Sequence, residues 1–231
     1  MLGRAAVAIW CDVAFDVKDE YDDWHAHEHM PERLSIPGFL RGTRWVSTDG
    51  RNAYCMIYEA QEEATVTAGR YLERLNDPTP WSRKMMAHHR NMVRSLCRVH
   101  ASFGAGLGQF LLSVRCSPEA QERAQLQTWL STELLPAIPA RKGCVAAHFL
   151  QNIPGQGGEP TAEQKLRGGD AAADWVVLVS GYSADALEAT LAVELSEQNL
   201  VAHGARPGSA ARCYGLACLM TAADVRRGQD A

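Results

Sequence analysis

The sequence predicts an α+β fold in which two βαββαβ units, one in each half of the chain, pack sheet to sheet as a barrel. Three observations support this prediction. A short motif occurs twice at an offset of 105 residues, strand-like and helix-like segments follow the same order in both halves, and a glycine cluster separates the halves. We place the first unit at 1–104 and the second at 105–231.

The repeated motif combines an aromatic residue, an acid, a proline and a glycine. Trp24, Glu28, Pro31 and Gly38 recur as Trp129, Glu133, Pro136 and Gly143. The two copies differ between the acid and the proline, where the first copy has His29 and the second has Leu134. A period near half the chain length favours two packed copies over a solenoid, which needs three or more repeats. Features shared by the copies should serve the fold, and chemistry should be sought among features private to the first.

The first half reads as strand, helix, hairpin, two helical stretches and a closing strand. Its first segment is an apolar run rich in β-forming residues, the next has apolar and aromatic residues at helical spacing, and Pro37-Gly38 ends that helix. A hairpin forms around the Asp49-Gly50 turn, and Asn76-Asp77-Pro78 ends the next helical stretch. The predicted segments are 5–13, 21–34, 39–47, 52–59, 64–75, 81–94 and 95–103.

The second half repeats this order with one insertion. Its predicted segments are 109–115, 118–135, 144–151, 174–181, 184–195 and 212–220. The insertion, 152–170, separates the hairpin strands and is rich in glycine, proline and charge, so we expect a long mobile surface loop or lid outside the core. Residues 226–231 should fray at the terminus. Between the two stacked sheets we expect an apolar, enclosed space suited to a small ligand.

Composition and charge indicate a soluble globular protein that acts on a small molecule. Of 231 residues, 46% are hydrophobic and 22% are charged, and 23 Lys and Arg are scattered among 27 Asp and Glu for a net charge of −4. Because no basic block is present, neither nucleic acid nor a membrane surface is an expected partner. With no signal peptide and no apolar run of membrane-spanning length, we expect a cytoplasmic protein. Open sheet edges allow a homodimer.

Cysteine usage and sequence motifs give no sign of a cofactor. The seven cysteines are odd in number and lack CxxC spacing, so buried reduced thiols are expected in place of disulfides or a zinc site. No GxGxxG or Walker loop follows a strand, and neither a GxSxG elbow nor a Cys-His nucleophile signature is present.

The segment 21–38, YDDWHAHEHMPERLSIPG, resembles the first helix of the dimeric α/β-barrel superfamily, in which two ferredoxin-like units pack sheet to sheet. The setting of Trp24, His29 and Pro31 is similar to that of the EthD-like branch, here with both units in one chain. The superfamily includes isomerases, cyclases, cofactor-independent monooxygenases, haem-binding members and members without known activity. The resemblance therefore implies the fold more firmly than the reaction.

His29 is the first candidate for catalysis, because a histidine that titrates near neutral pH can take up and return a proton without a cofactor. Related barrels with isomerase or cyclase activity use such a group. His25 is the second candidate, since it lies four residues earlier on the same helix face. This pair has the spacing of two metal ligands, but no sequence rule brings a third ligand near, so no metal is expected.

Five further side chains are candidate substrate-binding residues: Arg33, Arg44, Trp10, Tyr54 and His100. The two arginines are private to the first copy and suit an anionic or oxygen-rich substrate, with surface ion pairs as the alternative. The two aromatic residues lie on predicted strands and line either a cavity or the core. His100 would form a proton relay with His29 if it points between the sheets, and would otherwise be a satisfied core histidine. The neighbouring pair His88-His89 is expected on a solvated helix face.

We therefore expect an enzyme that acts on a hydrophobic or aromatic compound by cofactor-independent, histidine-mediated proton transfer, as an isomerase, cyclase or monooxygenase. One alternative is a barrel that binds haem, a metal or a ligand without turnover. The other is a structural oligomerisation module, which would have no enclosed cavity beside His29.

Overall fold

Eight antiparallel strands form a closed barrel in the computed structural model, which describes residues 1–154 and 159–229. Helices cover the outside of the barrel. The strands are β1 (Ala5–Val13), β2 (Phe39–Ser47), β3 (Ala53–Ala60), β4 (His89–Gly104), β5 (Phe110–Cys116), β6 (Cys144–Asn152), β7 (Trp175–Gly181) and β8 (Ala210–Thr221).

Each half of the chain contributes four neighbouring strands to the barrel. Their order is β4-β1-β3-β2 in the first half and β8-β5-β7-β6 in the second, the same arrangement of a βαββαβ unit in both. The barrel closes where β2 pairs with β8 and β4 pairs with β6, both antiparallel. The prediction of an α+β fold with two ferredoxin-like units packed as an α/β barrel is confirmed.

One interrupted helix follows the first strand of each unit. In the first unit, α1 (Lys18–Trp24) continues through a π-helical turn, His25–His29, into α2 (Met30–Leu34). In the second unit, α6 (Arg123–Thr128) continues through a π-helical turn, Trp129–Leu134, into α7 (Leu135–Ala137). The remaining helices are α3 (Glu63–Thr67), α4 (Gly69–Asn76), α5 (Pro80–Met86), α8 (Ala162–Leu166), α9 (Ala184–Ala192), α10 (Glu197–Ala202) and α11 (Ala222–Gln229). Within the described residues, no helix combines the length and the hydrophobicity that crossing a membrane requires.

The shared residues of the repeated motif take the same backbone positions in both units. Pro31 and Pro136 each follow the π-helical turn, where a missing N–H and a bulky ring interrupt the regular helical hydrogen bonds. Gly38 and Gly143 have φ of +95° and +92°, which side-chain-bearing residues rarely adopt. A Cβ at Gly38 would also lie 2.5 Å from Oγ1 of Thr65.

Alternation along β1 separates two cores. Val7, Ile9 and Cys11 face the helices of the first unit, whereas Ala8 and Trp10 face the interior of the barrel. Packed side chains fill the middle of the barrel, so among the described residues the apolar enclosed space expected between the sheets is not found there. The interior core includes Ala6, Ala8, Trp10, Trp45, Cys55, Ile57, Leu111, Leu150, Leu178 and Tyr214.

Three local predictions need correction. The helical stretch predicted over 81–94 ends at Met86, because β4 begins at His89 and pairs with β1 from that residue onward. The segment 152–170 contains helix α8, and Glu163 on this helix is 3% exposed. The prediction that the whole segment lies outside the core was therefore wrong. Residues 155–158 of that segment lie outside the described residues. Helix α11 extends through Gln229 into the tail expected to fray, and 230–231 are again outside the described residues.

Candidate active site

A small cavity lies between the helices of the first unit and the outer face of its sheet. Its volume is about 20 Å³, enough for a single water molecule. Three histidines, three arginines and three tyrosines are among the side chains that line it. The lining consists of Ile9, Tyr21, Trp24, His25, His29, Arg33, Met56, Tyr58, Tyr71, Met86, His89, Met92, Arg94, Glu163 and Arg167.

The π-helical turn directs both predicted catalytic histidines into this cavity. The rings of His25 and His29 have centroids 5.8 Å apart, and the two residues are 1% and 7% exposed. The indole of Trp24 packs on His29 with centroids 4.5 Å apart, and its Nε1 donates a hydrogen bond to Oγ of Ser82 at 3.1 Å. Such π-helical turns occur frequently at functional sites.

His25 has one hydrogen-bond partner and one free ring nitrogen. Its Nε2 lies 2.9 Å from the hydroxyl of Tyr58, whereas Nδ1 is buried without a partner among the described residues. Burial, with the nearby charge of Arg44, holds the pKa of His25 well below its ordinary value. The ring is therefore neutral at physiological pH.

His29 is a neutral imidazole without a hydrogen bond to any described residue. The nearest carboxylate oxygen, Oε2 of Glu32, lies 4.0 Å from Nδ1, which is buried and has no hydrogen-bond partner. Burial, with the charge of Arg33, holds the pKa of His29 well below its ordinary value. An unpartnered buried polar group costs roughly 1–3 kcal/mol unless a molecule in the cavity supplies the partner. The ring is free to accept a proton from a molecule in the cavity.

His89 and Tyr21 form a second buried pair, which the sequence prediction missed. Nδ1 of His89 lies 3.2 Å from the carbonyl oxygen of Met86, and Nε2 lies 3.0 Å from the hydroxyl of Tyr21. Burial lowers the pKa of His89 to about 4, so the ring is neutral. Because the carbonyl only accepts, we assign the proton to Nδ1, and the Tyr21 hydroxyl then donates to Nε2. His89 was expected on a solvated helix, but it opens β4 with its ring turned inward.

Buried ion pairs connect helix α8 to the first unit. Arg33 donates to Glu163 and, at 3.0 Å, to Glu32. Arg167 donates to Oε2 of Glu163 at 3.2 Å and to Oδ2 of Asp170 at 2.8 Å. These five residues form the α8 ion cluster, and three of them, Arg33, Glu163 and Arg167, line the cavity. The sequence analysis missed Glu163 and Arg167 as cavity residues, because the segment 152–170 is rich in glycine, proline and charge, which is typical of a surface loop.

Arg94 adds a positive charge to the cavity wall. Its guanidinium donates to the hydroxyl of Tyr71 at 2.8 Å and lies 5.6 Å from the centroid of that ring. Within the described residues no carboxylate lies within 4.0 Å of it. Its charge remains available to an anion that forms in the cavity.

The second unit fills the equivalent space with aliphatic side chains. Counting 105 residues onward, Tyr21, His25, His29 and Arg33 correspond to Leu126, Leu130, Leu134 and Ile138, all of them buried. Tyr58 corresponds to Val179 through strand register, since they pair with Val7 and Leu112. The polar cavity is therefore particular to the first unit, and the same backbone packs well without it.

Four predicted substrate-binding residues do not line this cavity. Arg44 is buried, and its Nη1 donates to the carbonyl oxygen of Asp22 at 2.7 Å, although its charge still acts on His25. Tyr54 donates to Oδ1 of Asp22 at 3.1 Å, and Trp10 points into the barrel interior. Strand alternation accounts for Trp10, whereas Arg44 and Tyr54 lie on the helix-covered face and are held by Asp22.

His100 does not reach His29. It is exposed on β4, where its ring meets that of Phe149 edge-on with centroids 5.2 Å apart. The proton relay proposed for these two histidines is therefore not formed, and His100 is not a core residue either. Among the predicted substrate-binding residues, and within the part of the chain that the structure describes, only Arg33 lines the cavity with the two predicted catalytic histidines.

The shared acid of the motif has a structural role in the first unit. Glu28 accepts hydrogen bonds from the hydroxyls of Thr79 and, at 3.3 Å, Ser82 at the start of α5. This agrees with the expectation that residues shared by the two copies serve the fold. The neighbouring His27 is exposed.

The donor set around the cavity does not match a metal-ion centre. Within 1–154 and 159–229, no group of three or more His, Cys, Asp or Glu side chains is arranged to hold a metal ion. His29 has the free nitrogen that a haem iron requires, and at about 20 Å³ the cavity is too small for a porphyrin or for any other ligand larger than water unless it enlarges. All seven cysteines are free thiols, and six of them are buried.

Comparison with known proteins identifies the architecture. No protein-family model and no curated protein matches the sequence. An anthrone oxidase-like protein aligns over 95% of this chain and 93% of its own, with a TM-score of 0.61 and 12% identity. A candidate monooxygenase from Lactobacillus acidophilus NCFM aligns over 95% and 97%, with a TM-score of 0.59 and 10% identity. A candidate chlorite dismutase aligns over 97% and 99%, with a TM-score of 0.53 and 10% identity. At these identities the likeness shows the fold, and this chain shares the ferredoxin-like α/β-barrel fold of these proteins.

Proposed function

We propose that the first unit is an enzyme that removes a proton from a small aromatic or hydrophobic substrate without a cofactor, with His29 as the base. One observation carries this proposal. The neutral ring of His29 faces a polar cavity with no hydrogen-bond partner among the described residues, whereas Leu134 packs at the equivalent position of the second unit. Maintaining such a ring in a core costs stability, which a catalytic role explains.

In the proposed step, a ring nitrogen of His29 accepts a proton from an activated carbon or a phenol. The C–H or O–H bond breaks, and its electron pair stays on the substrate as an enolate or phenolate. Because the pKa of His29 is held well below its ordinary value, the substrate must itself be acidic. The positive charge of Arg94, which has no carboxylate partner among the described residues, favours the anion as it forms.

The fate of the anion decides the reaction type. An isomerase or cyclase would return the proton to another atom of the substrate. In a monooxygenase, molecular oxygen would take electrons from the anion, so that one oxygen atom converts a methylene to a carbonyl and the other leaves as water. We favour the monooxygenase, because the fold is shared with an anthrone oxidase-like protein and a candidate monooxygenase, and this chemistry requires only a base and an acidic substrate.

Substrate binding requires the cavity to enlarge. Helix α8 covers the cavity but forms no part of the barrel sheet, so it can shift without breaking any strand pairing. An opening at α8 would expose the side of the cavity formed by Glu163 and Arg167. The presence of a cavity beside His29 also argues against a purely structural module.

The proposal is tested with purified protein and anthrone as the probe substrate. We expect no stoichiometric metal and no Soret band, together with oxygen consumption that falls about a hundredfold or more in His29→Leu. The matched control is His27→Gln, which changes an exposed histidine two residues away and should leave turnover unchanged. A stoichiometric metal, a Soret band or full turnover by His29→Leu would contradict the proposal.

A further inference from the structure

A second cavity opens at one end of the barrel, away from the catalytic histidines. This cleft has a volume of about 510 Å³, within the range of small-molecule sites. Both units contribute to it, through β1 of the first and through β5 and β8 of the second. Its lining includes Trp10, Asp12, Ser113, Arg115, Arg212 and Tyr214.

Arg115 and Trp10 face each other in this cleft from equivalent positions of the two units, 105 residues apart. The guanidinium carbon of Arg115 lies 4.9 Å from the centroid of the indole ring. Trp10 is itself fixed, because its Nε1 donates a hydrogen bond to Oγ of Ser113 at 3.1 Å. Stacking occupies one face of the planar guanidinium and leaves its in-plane N–H groups free to bind a ligand.

Arg115 has no partner for its charge within the described residues. None of its N–H groups donates to an acceptor there, and no carboxylate lies within 4.0 Å. The other two cationic groups of the cleft differ in this respect. Arg51 lies 3.5 Å from Asp49, and Arg212 lies 3.5 Å from Asp49 and 4.0 Å from Asp12.

The acids near the cleft are therefore already engaged. Asp12 also accepts a hydrogen bond from the side-chain amide of Asn91 at 2.7 Å, and this leaves it poorly placed to form an ion pair with Arg115. Burial is the main reason that the pKa of Arg115 is lowered, and the opposing influence of Tyr214 and Asp12 compensates the charge only in part. An anion in the cleft would supply that compensation.

We propose that this cleft binds a small compound through an oxyanionic group, either a carboxylate or a phosphate. Arg115 donates two parallel hydrogen bonds to this group. The planar fork of an arginine matches the spacing of two oxygens on either group. The hydroxyls of Tyr214 and Ser113 line the same cleft and can donate to the bound anion. The site is separate from the proposed proton-transfer chemistry and needs neither His25 nor His29.

Isothermal titration calorimetry of the intact chain tests this proposal, with benzoate and inorganic phosphate as the probes. We expect saturable binding of at least one probe with one site per chain, and a loss of affinity of about tenfold or more in Arg115→Gln. Tighter binding of benzoate would assign the site to carboxylates, and tighter binding of phosphate would assign it to phosphorylated compounds. The matched control is Arg123→Gln, because Arg123 stacks on Trp175 at 5.0 Å and does not line the cleft.

Arg115→Lys covers the case in which Arg115→Gln does not fold. This variant keeps the charge but cannot form the bidentate hydrogen bonds of an arginine, so its affinity for the probes should fall between those of the wild type and Arg115→Gln. Absence of saturable binding to the wild type, or equal affinity for the wild type and both Arg115 variants, would overturn the proposal.

Discussion

The hydroxyl of Tyr58 lies 2.9 Å from Nε2 of His25, and both side chains are buried beside the cavity that holds His29. At the equivalent places of the second unit, Val179 and Leu130 are buried in one hydrophobic core, and their side chains carry no polar atom. The first unit has thus placed a hydrogen-bonded pair where the fold accepts two aliphatic side chains. This contrast between the units makes several predictions testable within one chain.

Tyr58→Phe should destabilise the protein by roughly 1–3 kcal/mol, because it leaves both nitrogens of the buried His25 ring without a partner. Urea unfolding measures this change. Tyr182→Phe is the control, since Tyr182 is 59% exposed and its substitution should have no measurable effect. An unchanged free energy of unfolding in Tyr58→Phe would show that this hydrogen bond contributes nothing to the folded state.

Stability should fall as the pH drops from about 7 to about 5. The pKa values of His25 and His29 are held well below the unfolded value of about 6.5, and that of His89 is lowered to about 4. Below pH 6.5 the unfolded chain therefore binds protons that the folded protein does not, which favours unfolding. Each such histidine should cost about 2 kcal/mol of stability at about pH 5.

Free energies of unfolding at the two pH values check this prediction. His29→Leu removes one of the titrating groups and should reduce the loss, whereas His27→Gln, at an exposed site, should leave it unchanged. A stability that is constant between the two pH values would mean that these histidines are already protonated in the folded protein.

Glu163→Gln should destabilise the protein by roughly 3–5 kcal/mol. Glu163 accepts hydrogen bonds from both Arg33 and Arg167, so its neutralisation leaves two buried cations short of a counter-charge. Glu159→Gln is the matched control, because Glu159 is almost fully exposed and lies 3.9 Å from the exposed Lys165. Equal urea midpoints for the two variants would show that the α8 ion cluster does not hold the helix in place.

His29→Leu should leave the free energy of unfolding unchanged or raise it by about 1 kcal/mol. The substitution exchanges an unpartnered polar ring for an aliphatic side chain of similar size, the residue that the second unit has at Leu134. Thermal and urea unfolding measure it. A loss of more than about 3 kcal/mol would indicate that the ring has a structural role.

The sequence predicted the fold because local signals and the repeat agreed. Alternating strands, turn glycines and the shared motif each indicated the same order of elements, and Gly38 and Gly143 indeed take the same left-handed conformation. Buried thiols and the equivalence of the motif residues followed from the same patterns.

The location of the cavity could not be predicted in this way. Both faces of β1 are apolar, so alternation alone does not tell which face meets the helices and which fills the barrel. Trp10 was therefore grouped with His29, although strand geometry places them on opposite faces of the sheet. The burial of Glu163 depends on Arg33, 130 residues away along the chain, and no local pattern contains that information.

The role of His29 as a base is tested most directly by hydrogen–deuterium exchange into anthrone in oxygen-free heavy water. The exchange is monitored by NMR as the loss of the methylene proton signal of anthrone. Without oxygen, proton removal is separated from any later oxidation. Wild-type protein and His27→Gln should accelerate the exchange equally, and His29→Leu should reduce it to the rate without protein. Acceleration by His29→Leu equal to that of the wild type, or no acceleration by the wild type, would contradict the proposed role of His29.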